Sequence, residues 1–430
     1  MIYHLFQALE AAGVHFPGIG LMQYLSFRAM LAAVTAVLLS LTVGKSIIGW
    51  LQRKQIGETV RDLGLEGQIQ KKGTPTMGGI IILMSIVVSA LLFCDLTNVY
   101  VILLLVSTLW CGALGFTDDY IKVFKHRKEG MSEHGKLLGQ IVLGFIVGLT
   151  VWMSPEIVIR EKVEVETSVE RTLETETSVT TGRYKEEDVV KSTKTTIPFV
   201  KNHEFDYRWL SPVKGAWGWY AKWAIYVLMI VLVITACSNG TNLTDGLDGL
   251  AAGTSAIVGV VLGILAWLGG NIIDSNYLNI MYIPGSGEIA IYMSAFVGAL
   301  IGFLWFNSFP AQVFMGDTGS LAIGGIIGVS AVLMRKELLI PLLCGVFFTE
   351  SVSVLLQRTY FRITKKRTGV GHRIWSMTPL HHHYQDKKAP EGPVIFPKPV
   401  PAQHEAKITV RFWIVGIILA VSTLALLKLR

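Results

Sequence analysis

Residues 237–250 read CSNGTNLTDGLDGL, between two apolar runs at 220–237 and 250–268. Asn239, Asn242, Asp245 and Asp248 fall in this one stretch, with Gly240, Gly246 and Gly249 among them. Carboxylates and amides this dense are costly beside a bilayer, so the cluster reads first as a functional site. The plainer explanation is a helix cap, with Thr244 or Asp245 receiving the free N–H groups of the next helix. A cap needs one such side chain, whereas this stretch supplies two DGL units and two Asn.

The chain around it supports a membrane setting. Of 430 residues, 51% are hydrophobic and 16% charged, against roughly 25% charged in soluble domains. Apolar runs of about spanning length occur at 29–51, 77–93, 99–116, 137–159, 220–237, 250–268, 289–306, 321–334, 338–354 and 410–427. The expected fold is an all-α polytopic membrane protein of about ten transmembrane helices. Residues 2–12 read as a short amphipathic helix lying on the membrane surface, and no cleaved signal peptide is expected. Cys94, Cys111, Cys237 and Cys344 lie in or at the ends of apolar runs. They have no metal spacing and read as small buried hydrophobes.

Charge sorts the connections into two sides. The set 52–76, 117–136, 238–249, 307–320 and 355–409 carries Arg53, Lys54, Lys71, Lys72, Lys122, Lys136 and Arg358 to Arg367. The short connections of the other set are nearly free of Lys and Arg. The positive-inside rule puts the basic set in the cytoplasm and both termini outside. It also explains the net charge of +7 without nucleic acid as a partner.

Three regions follow. Residues 1–159 hold the first four helices, 160–216 form an extracytoplasmic insert, and 217–430 hold the rest. Within the insert, VEVETSV and VTTGRY alternate in period two, which predicts a small β-rich unit with a turn at Thr181 and Gly182. Its Glu, Lys and Thr content also fits a solvated, unstructured chain. Residues 386–408 form a proline-rich cytoplasmic segment of extended character.

Every polar motif falls in the cytoplasmic set. The loops contribute Gly73 to Gly79; Asp118 and Asp119; Asn239 to Asp248; Asn307 with Phe314 to Ser320, including Asp317; and His381, His382 and His383. Hard oxygen donors such as these aspartates are the ligands Mg²⁺ prefers. Lys71, Lys72, Lys122, Lys136 and the histidines supply cations and donors for phosphate oxygens. Three consecutive His lack the helical spacing of a zinc motif, so anion or substrate contact is the better reading. Carboxylates, a divalent metal and cations around glycines together point to phosphoryl or phosphoglycosyl transfer. A transporter would carry midplane acids in broken helices and an internal repeat; no repeat is seen here, and the acids sit in loops.

Six stretches, 73–79, 116–120, 242–250, 303–307, 310–317 and 379–384, closely resemble the bacterial phospho-N-acetylmuramoyl-pentapeptide-transferases. These belong to the polyprenyl-phosphate N-acetylhexosamine-1-phosphate transferase superfamily. The resemblance covers most of the chain apart from 160–216 and 386–408. It implies a homodimeric inner-membrane enzyme with its site on the cytoplasmic face. Such an enzyme passes phospho-MurNAc-pentapeptide from UDP-MurNAc-pentapeptide to undecaprenyl phosphate with Mg²⁺, giving lipid I and UMP. By motif position Asp317 is implied as the main magnesium ligand, Asp118 and Asp119 as the catalytic pair, and Asp118 as a base or second metal contact. Lys71 or Lys72, Gly246, Leu247, Asp248 and Phe314 are implied around the uridine, with Asn242 and Asp245 beside them. Asn239, Asn307, Lys122 and Lys136 count as substrate contacts, and His381 to His383 face the pyrophosphate. Gln385 stands where the family often has Glu and is assigned no role. The alternative within the enzyme class is a transferase using UDP-N-acetylglucosamine on the same lipid.

Overall fold

The computed structural model describes residues 1–14, 18–54, 73–125, 127, 129–160, 189–198, 204–213, 215–278, 280–385, 393–397 and 401–427. Lys71, Lys72 and the expected turn at Thr181 and Gly182 lie outside these. In chain order the helices are α1 (Ile2–Ala11), α2 (Leu25–Arg53), α3 (Gly79–Phe93), α4 (Val99–Phe124), α5 (Glu133–Met153), α6 (Ala216–Thr244) and α7 (Leu250–Gly270). They continue as α8 (Ile272–Tyr277), α9 (Gly287–Asn307), α10 (Gly316–Leu333), α11 (Ile340–Leu343), α12 (Gly345–Thr368), α13 (Leu380–Gln385) and α14 (Glu405–Leu426).

Each of the ten apolar runs contains helix, though the run 137–159 leaves it after Met153 and ends in a strand at Ile159. Eight of the described helices are long and apolar enough to span a bilayer, and a ninth span is possible if the pair bent by 78° before α12 counts as one. The remaining run, 77–93, gives α3, which has 15 residues and rises only about 22 Å, short of the roughly 30 Å of a hydrocarbon core. Its leading segment is irregular but satisfied. Gly78 N donates to Phe314 O, Gly79 N to Met315 O, and Phe314 N to Pro75 O, each at 2.8 Å. Non-helical backbone is tolerated at membrane depth only with such partners. All four cysteines are free and buried.

Packing follows from small residues. On α2, Ala32, Ala36, Ser40, Gly44 and Ile48 are buried at four-residue spacing, which makes one stripe, and this helix packs along α9. Close backbone approach through small residues is the usual basis of helix association in lipid. Arg28 of α2 completes that seam with a fork onto Glu288 of α9, at 3.1 and 2.6 Å. The central helix is α10. It packs against α3, α4, α6 and α7, and Thr318 through Leu333 are all buried.

The insert is short-stranded where described. β1 (Ile159–Arg160) pairs antiparallel with β2 (Val189–Val190), and β3 (Lys194–Thr196) with β4 (Glu204–Asp206). It is locked onto the C-terminal end of α10. Thr196 N and Thr195 Oγ1 donate to Arg335 O, Lys336 Nζ donates to Thr196 Oγ1 at 2.6 Å, and Tyr207 Oη to Glu337 Oε1 at 3.3 Å. The proline-rich segment is extended at Val394–Phe396 and departs from that path only where the last helix begins. β5 (Arg373–Trp375) and β6 (Val394–Phe396) pair in parallel, and the last helix begins at Glu405 rather than Val410.

Because Lys336 is 2% exposed, losing one of its acceptors is costly. Thr196→Val should destabilise the detergent-solubilised protein by about 1–3 kcal/mol, seen as a lower unfolding midpoint. An unchanged midpoint would show that the insert only rests on the bundle.

Candidate functional site

At the N-terminal end of α10, helices α4, α5, α6 and α10 bring four charged groups together. Asp118 and Lys122 are one turn apart on α4, and Lys122 Nζ lies 2.6 Å from Asp118 Oδ2. Lys136, in the first turn of α5, reaches the same oxygen at 3.0 Å. Both ammonium groups also hold Asp317 Oδ2, Lys122 at 3.2 Å and Lys136 at 2.5 Å. Asn242, in the last turn of α6, donates to Asp317 Oδ1 at 3.0 Å and to Ser320 Oγ at 2.9 Å. Met131 N donates to Asp118 Oδ1 at 2.6 Å. The Asp118 side chain is fully buried, while Lys122 remains 36% exposed. The quartet therefore has one open side.

Asp118 and Asp119 do different work despite being adjacent. Asp119 points into the N-terminus of α10. Its Oδ1 accepts from Asp317 N at 3.1 Å, and its Oδ2 from Thr318 N at 2.9 Å and Thr318 Oγ1 at 2.6 Å. A carboxylate there satisfies otherwise free N–H groups and complements the helix dipole. α4 and α10 come this close because Gly115 has no side chain; a Cβ there would collide with Asp317 O.

One carboxylate oxygen from each of Asp118, Asp119 and Asp317 falls within 4.8 Å of the others, a group able to hold a metal ion. Asp118 Oδ2 is buried and takes only ion pairs, with no well-directed hydrogen bond. The donor set is all oxygen, which fits a hard divalent cation.

A second cluster lies along residues 237–250. A Cβ added at Gly246 would meet the His381 imidazole, so glycine there admits the ring. His381 is fully buried. Its backbone N–H donates to Glu350 Oε1 at 3.2 Å, and its Nδ1 lies 3.4 Å from the same oxygen. His382 is half-exposed, its ring 4.2 Å from that of His381, and His383 is buried. Asp245 follows the last residue of α6 and is half-exposed. Phe314 is half-buried beside the 73–79 loop, which its backbone pairs with.

Other residues expected at the substrate make defined contacts within the protein. Leu247 is buried in a small apolar cluster with Leu250 and Ile408. Asp248 Oδ2 accepts from Ala311 N at 3.0 Å. Asn307 Oδ1 accepts from Gly249 N at 3.1 Å, and its Nδ2 donates to Val313 O at 2.9 Å. Asn239 exchanges hydrogen bonds with Gln140 of α5, at 2.8 and 3.2 Å. Sequence reasoning missed Glu405, which accepts from Asp248 N at 2.7 Å. The available signal was a carboxylate just before the last apolar run, where an acid suits a helix's first turn.

The glycosyl transferase family 4 model matches residues 190–335. Signature 1 of the phospho-N-acetylmuramoyl-pentapeptide-transferases matches 71–83. The chain is 54% identical over 430 residues to the phospho-N-acetylmuramoyl-pentapeptide-transferase of Parabacteroides distasonis, covering 100% of both chains. The proteins of that name from Porphyromonas gingivalis and Flavobacterium psychrophilum are 52% and 51% identical, again with 100% of both chains covered.

The split between the two adjacent aspartates is testable. Asp119→Ala strips three donors of their acceptor and should lower stability by about 1–3 kcal/mol. Asp118→Asn should leave the unfolding midpoint much nearer the wild type, because Lys122 and Lys136 keep Asp317. Thermal unfolding in detergent compares them; equal melting of Asp119→Ala and wild type would remove the capping role.

Proposed function

The chain belongs to the phospho-N-acetylmuramoyl-pentapeptide-transferases, and we propose that it moves phospho-MurNAc-pentapeptide from UDP-MurNAc-pentapeptide to undecaprenyl phosphate, releasing UMP. The observation that carries this reading is full-length identity above 50% to enzymes of that name, joined to an open-sided quartet of two carboxylates and two lysines.

In this reading Asp317 and Asp118 would hold the cation, which their all-oxygen donor set suits to Mg²⁺. When bound, the metal neutralises charge developing on the phosphate oxygens. The protein's own groups do the rest. Asn242 fixes Asp317 through its Oδ1, leaving Oδ2 directed at the reacting side. Lys122 and Lys136, which bridge both aspartates, would offer their ammonium groups to phosphate oxygens. Asp118 accepts the proton of the lipid phosphate or steadies the metal, and Asp119 holds the N-terminus of α10 in place. Gly246 and the backbone from Leu247 to Asp248, with Phe314, form the floor for the uridine. Lys71 and Lys72, the other residues expected around the uridine, lie outside the described residues. The site faces the cytoplasm of a bacterial inner membrane, supported by the clustering of Lys and Arg in the motif-bearing connections. Assembly as a homodimer rests on the family resemblance alone.

Asp317→Asn exchanges an anionic ligand for a neutral one of the same shape. Turnover should fall by roughly 10²–10³-fold or more, with a higher Mg²⁺ requirement and an intact fold. UMP release is measured with undecaprenyl phosphate across a Mg²⁺ titration, with UDP-N-acetylglucosamine as the competing donor. Near-normal rates at low Mg²⁺ would remove Asp317 as the ligand. A preference for UDP-N-acetylglucosamine would replace this reading by the alternative transferase.

Sidedness has its own test. Arg208 in the insert and Lys366 at the end of α12 are both exposed. Arg208→Cys and Lys366→Cys, in a background lacking the four native cysteines, should react from opposite sides of intact spheroplasts with an impermeant maleimide. Labelling of both from outside would invert the assignment.

A further inference from the structure

The two oxygens of Asp118 have different surroundings. Oδ2 lies 2.6 Å from Lys122 Nζ and 3.0 Å from Lys136 Nζ, the two cations that it shares with Asp317. Oδ1 accepts the backbone N–H of Met131 at 2.6 Å. That N–H belongs to the connection between α4 and α5, outside every stretch that resembles the transferase family. Glu129 and Ser132 are exposed, so the connection lies on the outer surface of the site, while the Asp118 side chain beneath it is fully buried.

The turn is built to reach that oxygen. Arg127 N donates to Ile121 O at 3.4 Å, and Gly130 N to Arg127 O at 3.0 Å, which folds the chain back over the end of α4. Gly130 has φ +66°, a left-handed conformation that side chains disfavour. A Cβ there would collide with Asp118 Oδ1 and crowd Lys122 Cε. Glycine therefore lets the backbone come down onto the same oxygen that the next N–H holds. Ser132 then caps α5, its Oγ accepting from Gly135 N at 3.2 Å, and one turn later Lys136 reaches Oδ2. Residues 130–136 thus address both oxygens of one carboxylate, a backbone N–H on one and an ammonium on the other.

The two donors do different things. The terminal torsion of an aspartate is broad and roughly two-fold, so a lysine that can follow the carboxylate does not fix which way its oxygens face. A short N–H···O⁻ bond from a backbone held by its own turn does. We propose that Gly130 is a positioning residue: it brings the Met131 N–H onto Oδ1, and so keeps Oδ2 turned toward Lys122, Lys136 and Asp317. This deepens the transferase reading and rests on it. The contact orients a group of the reaction, so its loss slows the bound complex rather than loosening the nucleotide.

The test on the full chain leaves every side chain in place. Replacing Met131 by its α-hydroxy analogue turns the 130–131 amide into an ester and removes that N–H. kcat should fall roughly 10–100-fold, the scale of one hydrogen bond to a charged group. KM for UDP-MurNAc-pentapeptide, and UMP binding by calorimetry, should stay near the wild type. Gly130→Ala should be at least as slow, again with UMP binding retained. A normal kcat in the ester variant, or a loss confined to nucleotide KM, would overturn the proposal. The bond also has a signature apart from turnover. In ¹⁵N-methionine-labelled protein, the Met131 amide proton, assigned by its loss in Met131→Leu, should lie downfield and move upfield in Asp118→Ala. A proton that does not move would overturn the proposal as well. Failure of the wild type to release UMP from UDP-MurNAc-pentapeptide would sink the transferase reading instead, and the amide signal would still report on the bond.

Discussion

The carboxylate of Asp119 seated in the N-terminus of α10 is the interaction on which the rest of the site depends. It ties α4 to the central helix and sets where Asp317 begins. Once Asp317 is placed, Lys122 and Lys136 have a second acid to bridge and Asn242 has an oxygen to hold. Two like charges so close would repel strongly in a medium of low effective dielectric. The two lysines offset that repulsion, and each acid keeps both lysines within reach.

The site is built from helix ends rather than from mobile loops. Asp118 and Lys122 lie in the last turns of α4, Asn242 in the last turn of α6, Lys136 in the first turn of α5, and Asp317 in the first turn of α10. Helices are fixed by long apolar contacts, so their ends hold geometry well. The segments between them are braced by side chains that sequence reasoning had given to substrate. Asp248 and Asn307 cross-link the 245–249 turn to residues 311–313, and Glu405 holds the same turn from the last helix.

Much of this was legible in the sequence. The ten apolar runs, the buried cysteines and the convergence of Asp118 with Asp317 could all be read from pattern and residue type, while the alternating stretches VEVETSV and VTTGRY lie outside the described residues. What could not be read was the division of labour among neighbours. Asp118 and Asp119 are alike in one dimension; only the position of α10, about two hundred residues later, decides which one caps and which one faces the lysines. Gln140 and Asn239 form a pair invisible to any local pattern. Glu405 was hidden because the boundary of the last helix was drawn by hydropathy, and a polar first turn does not register there.

The burial of α10 also bears on how the protein is made. Nearly nine-tenths of its spanning window is enclosed by other helices, and it is the least apolar of the eight long spans, with Gly319, Gly324, Gly325 and Gly328 along it and Asp317 at its start. Insertion into a bilayer rewards large apolar side chains and penalises an acid. A segment composed for protein neighbours is therefore poorly suited to partition into lipid alone. Its partners α3, α4, α6 and α7 all precede it in the chain, so the ribosome delivers the walls of the socket before the helix that fills it.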